Sequence, residues 1–232
     1  SLLIALGGGV VSDLGGFIAA TWHRGIRLAI CSTTIEAAVD ASVGGKNALN
    51  LAGIKNAIGT FHQPSLVLVD TDTFRTLPVR DVRAGLAESI KHALLASEEF
   101  LSWHEANAER IETLESDATR RLVAENIRIK AEFVAGDVTD VNDRRIMLNF
   151  GHTIGHAIES ASGFSLRHGE CVGLGMLAEC HLSAQLGLMD GAIVERLRAL
   201  LVRFSLPTRW PANVSVADLA PWFRRDKKKR DG

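Results

Sequence analysis

Short apolar segments and glycine turns alternate with helical patterns over the first 70 residues, and this alternation restricts the fold most strongly. Leu2–Leu6 is an apolar run ended by three glycines, and Val10–Thr21 has a helical pattern. Two further apolar runs, Arg27–Ser32 and Ser65–Asp70, have the length of strands. Uninterrupted apolar strands that alternate with helices are typical of a parallel sheet covered on both faces. The sequence therefore begins with a predicted α/β unit.

Helical periodicity takes over after about Pro78 and continues to the end of the chain. One face of a long predicted helix carries Ala118, Leu122, Ile129 and Phe133. Further helices are predicted at Gly169–Leu186, Ala192–Phe204 and Val216–Phe223. We therefore expect an α/β domain at residues 1–78 and an all-α domain at residues 79–232.

The charge balance gives no support for a nucleic-acid-binding protein, because the net charge is only −1. A hydrophobic content of 47% and a charged content of 23% are ordinary for a globular protein, and no apolar run could span a membrane. The three cysteines form no CxxC pair, which favours reduced thiols. We therefore expect a cytoplasmic protein with neither nucleic-acid nor membrane partners.

A polar stripe in an otherwise apolar segment points to a chemical site. In RIMLNFGHTIGHAIE, Arg145, Asn149, His152 and His156 are spaced four, three and four residues apart. On one continuous helix this spacing would place all four side chains on the same face. Buried polar groups need partners, so the stripe predicts a buried helix facing a polar cavity that binds a metal or an anion.

Two glycine-containing segments could bind phosphate groups. LGGGVVSDLGG, from Leu6 to Gly16, joins the first strand to the first helix, whose N-terminus could hold a phosphate near Asp13. A plain strand-to-helix turn is the alternative, because GxGxxG spacing is absent. The second segment, VDASVGGKNALN, precedes Lys55 and Asn56 and has the composition of an anion cradle.

Acidic and histidine side chains from separate segments could form a metal site. In LAESIKH, Glu88 is three residues from Lys91 and four from His92, a spacing that an exposed ion pair would also produce. His168 follows His152 by 16 residues. Glu88, His152 and His168 could therefore form a site of two histidines and one carboxylate that suits Zn²⁺ or a similar ion.

Ten sequence blocks, in order, resemble the 3-dehydroquinate synthase family of sugar-phosphate cyclases. They are GGGVVSDLGGF, Thr33-Thr34, VDASVGGK, Lys55-Asn56, HQP, DTDTFRTLP, GLAESIK, LNFGHTIGHAIE, RHGE and RDKK. The resemblance runs from about Leu3 to Lys228. It implies a Rossmann-like N-terminal domain, a helical C-terminal domain, an active site between them and a homodimer.

The activity implied by this resemblance is a lyase reaction of the shikimate pathway. It converts 3-deoxy-D-arabino-heptulosonate 7-phosphate to 3-dehydroquinate and phosphate, using NAD and one divalent metal ion, zinc or cobalt. The implied sequence is transient oxidation by NAD, phosphate elimination, re-reduction and aldol cyclisation.

The resemblance also implies roles for individual residues. The implied metal ligands are Glu88, His152 and His168. The implied substrate contacts are Asp40, Lys46, Asn56, Lys91, Lys130, Arg145, Asn149, His156 and Lys227, with Arg24 donated across the dimer interface. The implied NAD contacts are Gly9, Asp13, Thr33, Thr34, Lys55, Thr76 and Leu77.

The sequence departs from the family pattern in several places, including STT at residues 32–34 for the family's PTT and Ala38 for a glutamine, with Glu36 new. Where the family usually has DERE, this chain has DVTD at residues 137–140, with one extra residue before Arg145. Arg144 competes with Arg145 for the carboxylate role, and the four-residue step to Asn149 favours Arg145. Family members also have a section before LGGG and continue past RDKK, so we expect terminal portions of the NAD-binding domain and of the C-terminus to lie outside this sequence.

Three alternatives remain open at the level of the sequence. A sibling cyclase resembling 2-deoxy-scyllo-inosose synthase would act on a sugar phosphate that lacks a carboxylate. A polyol dehydrogenase would produce NADH and would need no phosphate cradle. A non-catalytic protein could have kept the fold, although the full metal-ligand set argues against this.

Overall fold

The first part of the chain alternates strands with one helix and a hairpin. The computed structural model describes residues 1–51, 54–141 and 143–225, with only the backbone described at residues 54, 55, 143, 224 and 225. The elements of this part are β1 (Leu2–Gly7), α1 (Gly9–Thr21), β2 (Arg27–Ser32), β3 (Lys46–Leu51), β4 (Ile54–Phe61) and β5 (Leu66–Val69).

The three predicted strands form one parallel sheet in the order β1-β2-β5. Leu2 pairs with Arg27, and Ala29 pairs with Leu66. Helix α1 packs against one face through Ala19 and Gly15, where a Cβ would come within 2.7 Å of Ala5. The opposite face is exposed at Leu2, Ile4, Leu6, Leu66 and Leu68. Cover on both faces was predicted, and the described residues cover one of them.

An antiparallel hairpin of β3 and β4 was not predicted. Its residues mix polar and apolar types, and β3 overlaps the segment predicted as an anion cradle. The hairpin packs on α1, where a Cβ at Gly16 would lie 1.8 Å from Oδ1 of Asn47. The Asn47 amide in turn donates to the carbonyl oxygens of Gly45 and His62. The glycine of the helix thus allows the hairpin to approach it.

Helices form the rest of the described chain, as predicted. A 3₁₀ turn (Thr71–Thr76) leads into α2 (Val79–Ala96), α3 (Glu98–Glu112), α4 (Ser116–Val134), α5 (Asp143–Ile146), α6 (His152–Ala161), α7 (His168–Gln185), α8 (Gly191–Arg203) and α9 (Val216–Arg225). The main core lies among α2, α4, α7 and α8, with Leu86, Leu122, Val172 and Leu197 fully or nearly fully buried. No helix in the described ranges is both long and apolar enough to cross a membrane.

The predicted single helix across Arg145–Glu159 is wrong. Helix α5 ends at Ile146, a 3₁₀ turn covers Met147–Asn149, and Gly151 has φ of +77° before α6 begins. A side chain at Gly151 would also meet Cγ of Met176 at 2.5 Å. The left-handed glycine and this close approach of α7 break the helix. Asn149 and His152 therefore reach the interior from two different elements.

Candidate metal and substrate site

Three ligand-type atoms converge beside the middle of α2. Oε1 of Glu88 lies 3.4 Å from Nε2 of His152 and 3.4 Å from Nε2 of His168. Ligand atoms bound about 2.0–2.2 Å from a tetrahedral metal ion lie roughly 3.4 Å from one another. Both Glu88 oxygens are buried, and neither forms a well-oriented hydrogen bond among the described residues. The three side chains therefore fit a divalent metal ion with open positions.

The other ring nitrogens of the two histidines have acceptors that orient them. Nδ1 of His152 lies 3.1 Å from the carbonyl oxygen of Phe150, and Nδ1 of His168 lies 3.2 Å from Oε2 of Glu159. A proton on each Nδ1 satisfies these acceptors and leaves both Nε2 lone pairs directed at the shared point. Glu159 was not among the predicted site residues. Its step of seven residues from His152, which places both on one helix face, could have indicated it.

The ionisation of these groups also suits a cation. Burial would raise the pKa of Glu88, but Lys91 and His152 hold it well below its usual value. Burial, reinforced by Lys91, lowers the pKa of His152. A metal requires an ionised carboxylate and neutral imidazoles, and the surroundings favour those states for these two residues.

Two other groups of ligand atoms lie close together. His156 joins His152 and His168, with ligand atoms within 4.8 Å of one another. Asp40, Glu88 and His92 form the second group. Asp40, which occurs only in that second group, contacts the ammonium groups of both Lys91 and Lys130, which would repel a cation. We therefore favour Glu88, His152 and His168, with His156 beside them at a ring distance of 5.1 Å from His152.

A buried ion cluster borders this point. Asp40 lies on a π-helical turn, and its Oδ1 is 2.9 Å from Nζ of Lys130 and 3.8 Å from Nζ of Lys91. Burial would raise the pKa of Asp40, but Lys130 and Lys91 hold it well below its usual value. The Lys91 ammonium also contacts the Glu88 carboxylate. Asp40 thus links the two lysines that were predicted as substrate contacts.

The two lysines respond differently to burial. Burial would lower the pKa of Lys91, but the Glu88 and Asp40 carboxylates outweigh it and raise that pKa. At Lys130 burial prevails and lowers the pKa, although Asp40 partly offsets it. Lys91 therefore remains a firmly held cation, and Lys130 releases its proton more readily.

Arg145, not Arg144, faces the interior. Its guanidinium donates to the carbonyl oxygens of Val138 and Gly44, both at 2.8 Å, and only 3% of the residue is exposed. Arg144 is exposed. In the altered DVTD segment, Asp140 pairs with Lys46. Asn149 is half-buried on the 3₁₀ turn after α5.

Several predicted substrate residues are not brought together. Asn56 does not lie beside Lys46. Its N–H donates to Oδ1 of Asn50, and Asn50 is four residues from Lys46 along β3. At about 3.3 Å per residue this separation is roughly 13 Å. Arg24 is exposed just beyond the far end of α1 from Gly9, about 20 Å away at 1.5 Å per residue. The side chain of Lys55 and residue Lys227 lie outside the described residues.

The predicted NAD residues follow the carboxyl ends of the three parallel strands. Gly9 begins α1, and Asp13 is half-buried one turn later. Thr33, the first residue after β2, donates its N–H to the carbonyl oxygen of Gly7 at the end of β1, while Thr34 lies 3.0 Å from a Cβ built on Gly8. Thr76 and Leu77 end the 3₁₀ turn that follows β5. Ligands of open α/β sheets bind at this edge.

Two family models together match almost the whole chain. The 3-dehydroquinate synthase N-terminal model matches residues 1–84, and the 3-dehydroquinate synthase C-terminal model matches residues 85–229. The chain belongs to the 3-dehydroquinate synthase family. The 3-dehydroquinate synthase of Symbiobacterium thermophilum is 48% identical over 233 residues, which are 100% of this chain and 65% of that protein. The chain therefore spans less than two thirds of that curated relative.

Solved structures of other cyclases resemble this member of the 3-dehydroquinate synthase family. One is 2-deoxy-scyllo-inosose synthase with carbaglucose-6-phosphate, NAD⁺ and Co²⁺, which is 27% identical with a TM-score of 0.89 over 97% of this chain and 61% of that one. Another is ValA, 2-epi-5-epi-valiolone synthase from Streptomyces hygroscopicus subsp. jinggangensis 5008, with NAD⁺ and Zn²⁺. It is 28% identical with a TM-score of 0.88 over 96% of this chain and 61% of that one. The predicted fold class is confirmed.

Proposed function

We propose that this chain carries the active site of a 3-dehydroquinate synthase. The proposed reaction converts 3-deoxy-D-arabino-heptulosonate 7-phosphate to 3-dehydroquinate and phosphate. The observation that carries the proposal is the convergence of Glu88, His152 and His168 beside the ion cluster of Asp40, Lys91 and Lys130. Membership in the family supports the same reaction.

The proposed cofactors are NAD and one divalent metal ion, zinc or cobalt. The similar cyclases were solved with NAD⁺ and Co²⁺ or Zn²⁺, which supports this assignment. When bound, NAD supplies a reversible hydride acceptor and the metal a Lewis acid. Glu88, His152 and His168 would hold the metal. The residues proposed to hold NAD are Gly9, Asp13, Thr33, Thr34, Lys55, Thr76 and Leu77.

The proposed substrate contacts divide according to charge. Lys130 and Arg145 suit the substrate carboxylate, because a guanidinium can bind it through two hydrogen bonds. Lys46 and His156 suit the phosphate, which leaves with the bonding electrons and takes the proton from the neighbouring carbon. Asn56, also predicted as a phosphate contact, lies too far along the hairpin from Lys46 to share that phosphate in this structure. The remaining proposed contacts are Asp40, Lys91, Asn149 and Lys227. Lys91, whose pKa is raised by Glu88 and Asp40 despite burial, would keep a positive charge throughout.

A homodimer and a cytoplasmic location are further parts of the proposal. Arg24 is exposed beyond the far end of α1 and would reach an active site only in a partner subunit. A sequence with three cysteines and no CxxC pair favours a reducing compartment. We also propose that residues 1–78 contribute to NAD binding and residues 79–232 to metal and substrate binding.

Phosphate release without net NADH formation tests the proposed reaction. The protein is incubated with the heptulosonate phosphate, catalytic NAD and Zn²⁺ or Co²⁺, and phosphate and NADH absorbance are followed. We expect phosphate release with no accumulating NADH. Lys130→Met should abolish release, whereas Arg128→Met, an exposed change two residues away on α4, should not. Accumulating NADH, or no phosphate, contradicts the proposal.

A sibling cyclase is the second candidate. The structural likeness to 2-deoxy-scyllo-inosose synthase, with a TM-score of 0.89, favours it. Such an enzyme would accept glucose 6-phosphate, which has no carboxylate for Lys130 and Arg145 to bind. Phosphate release from glucose 6-phosphate, with none from the heptulosonate phosphate, would support this candidate over the first.

A further inference from the structure

Four polar side chains form a buried chain of contacts that leads from α3 to Asp40. His104, Ser89, Asn126 and His92 are each 0% exposed. Ser89 lies 2.8 Å from His104 and 2.6 Å from Asn126, and Asn126 lies 2.9 Å from His92. None of these four residues was assigned a role in the proposed reaction.

The direction of the hydrogen bonds is fixed at the His104 end. Nδ1 of His104 lies 2.7 Å from the carbonyl oxygen of Phe100, which can only accept, so this nitrogen carries a proton. Burial lowers the pKa of His104 to about 4, so the ring is neutral near pH 7 and its Nε2 accepts. The Ser89 hydroxyl must therefore donate to His104 and is left to accept from Asn126.

The direction at the other end follows from a second backbone carbonyl. The Asn126 amide nitrogen donates to the carbonyl oxygen of Leu122 at 2.7 Å and to Oγ of Ser89 at 2.6 Å. Both amide protons are then used, and Oδ1 of Asn126 must accept from Nδ1 of His92. The proton of Nδ1 is thereby fixed, and Nε2 of His92 faces away from the chain.

Nε2 of His92 points at Asp40. It lies 3.5 Å from Oδ1, and it is the one ring or amide nitrogen of these four described side chains that lacks a hydrogen bond. A contact of this length can tighten when a ligand closes the site. Oδ1 is also the Asp40 oxygen nearest to Nζ of Lys130 and to Nζ of Lys91. Oδ2 is thus the oxygen farther from all three groups, and 26% of the Asp40 side chain is exposed.

We propose that His92 is a positioning residue for Asp40. Its Nε2 engages Oδ1, and the chain through Asn126, Ser89 and His104 fixes the ring, so that Oδ2 is kept for the substrate. This inference rests on the proposed function, in which Asp40 contacts the substrate. A purely apolar core would stabilise this region without burying four polar groups, which supports a role in the site.

Three substitutions at His92 separate its two ring nitrogens. His92→Asn keeps a polar group near Nδ1, His92→Gln keeps one near Nε2, and His92→Phe keeps only the ring. We expect His92→Asn and His92→Phe to lower kcat about 10- to 100-fold, as is usual when a supporting partner is lost. His92→Gln should recover most of that loss, and KM should change less than kcat.

Two controls exclude a general effect on folding or on the metal site. Co²⁺ affinity should be unchanged in all three variants, because Glu88, His152 and His168 are intact. Melting temperatures should not follow the order of kcat. Equal losses in His92→Asn and His92→Gln, or Co²⁺ affinity that falls together with kcat, would overturn the inference.

A nitrogen NMR measurement decides the contact without turnover. In ¹⁵N-labelled protein loaded with Zn²⁺, the His92 Nδ1 signal should be that of a protonated nitrogen, and the Nε2 signal should shift in Asp40→Asn. An unprotonated Nδ1, or an Nε2 signal that ignores Asp40→Asn, would overturn the inference. If the wild-type protein releases no phosphate, the proposed function fails while this measurement still decides the His92–Asp40 contact.

Discussion

The carbonyl oxygen of Ala84 occupies the space where a side chain of Gly169 would begin. A Cβ built on Gly169 would lie 1.8 Å from that oxygen. Helices α2 and α7 therefore approach each other here through backbone atoms. Glu88 follows Ala84 by one helical turn and His168 precedes Gly169, so this approach brings the two predicted ligands within 3.4 Å.

Replacing this glycine should open the contact between the helices. Gly169→Ala should lower the free energy of unfolding by about 1–3 kcal/mol or more, because the carbonyl at α2 is backbone and cannot rotate away. Gly191→Ala is the matched control, since no atom lies within 4 Å of a Cβ at that helix start. Urea unfolding measures both, and equal stability of the two variants would contradict the packing argument.

Glu88→Gln should remove the charge on which the metal site depends. We expect stoichiometric Co²⁺ binding to be lost, because only two imidazoles would remain as ligands. The buried Lys91 ammonium would also have lost its neighbouring carboxylate on α2. The visible absorption of bound Co²⁺ measures this. Glu132→Gln, an exposed change on α4, should bind Co²⁺ as the wild type does. Retained stoichiometric Co²⁺ in Glu88→Gln would show that the ligands are assigned wrongly.

Glu159 should act through His168. Glu159→Leu removes the acceptor of the His168 Nδ1 proton and should weaken Co²⁺ binding about 10- to 100-fold. Glu159→Gln keeps an acceptor oxygen and should lie between Glu159→Leu and the wild type. Competition with a chelator measures these affinities. Identical affinities in both variants and the wild type would remove Glu159 from the site.

The burial of His104 should make stability fall in mild acid. Burial lowers its pKa to about 4, whereas an unfolded histidine titrates near 6.5. Between these values the unfolded chain binds more protons. His104 therefore contributes about 3 kcal/mol to the free energy of unfolding above about pH 6.5, and this contribution is lost as the pH falls towards 4. In His104→Gln this part of the pH dependence of the unfolding free energy should vanish. Chemical unfolding between pH 4 and 7 measures it.

Arg145 should contribute more to the stability of the fold than its neighbour Arg144. Arg145→Met leaves the carbonyl oxygens of Gly44 and Val138 without their donor and should cost about 1–3 kcal/mol of unfolding free energy. Arg144→Met changes an exposed side chain and should cost little. Thermal unfolding of both variants compares them. Greater destabilisation by Arg144→Met would reverse the assignment.

Local periodicity was sufficient for most elements of the fold. The strand Arg27–Ser32 has the predicted bounds, and the helix predicted at Gly169–Leu186 spans His168–Gln185. Strong apolar patterns of period two or 3.6 report directly which face of an element is buried. The hairpin of β3 and β4 has no such pattern, and its packing against Gly16 becomes visible only once α1 is folded.

The sequence by itself determined the element types, the family and the kinds of side chain in the site. Tertiary structure decided how those side chains meet. Arg145 and His152 share no helix, because Gly151 adopts a left-handed conformation against α7, a contact that depends on residue 176. The link from His104 to Asp40 joins residues 64 positions apart in the chain. Such contacts depend on how closely packed helices approach each other. The spacing of residues along one helix or strand does not predict that approach.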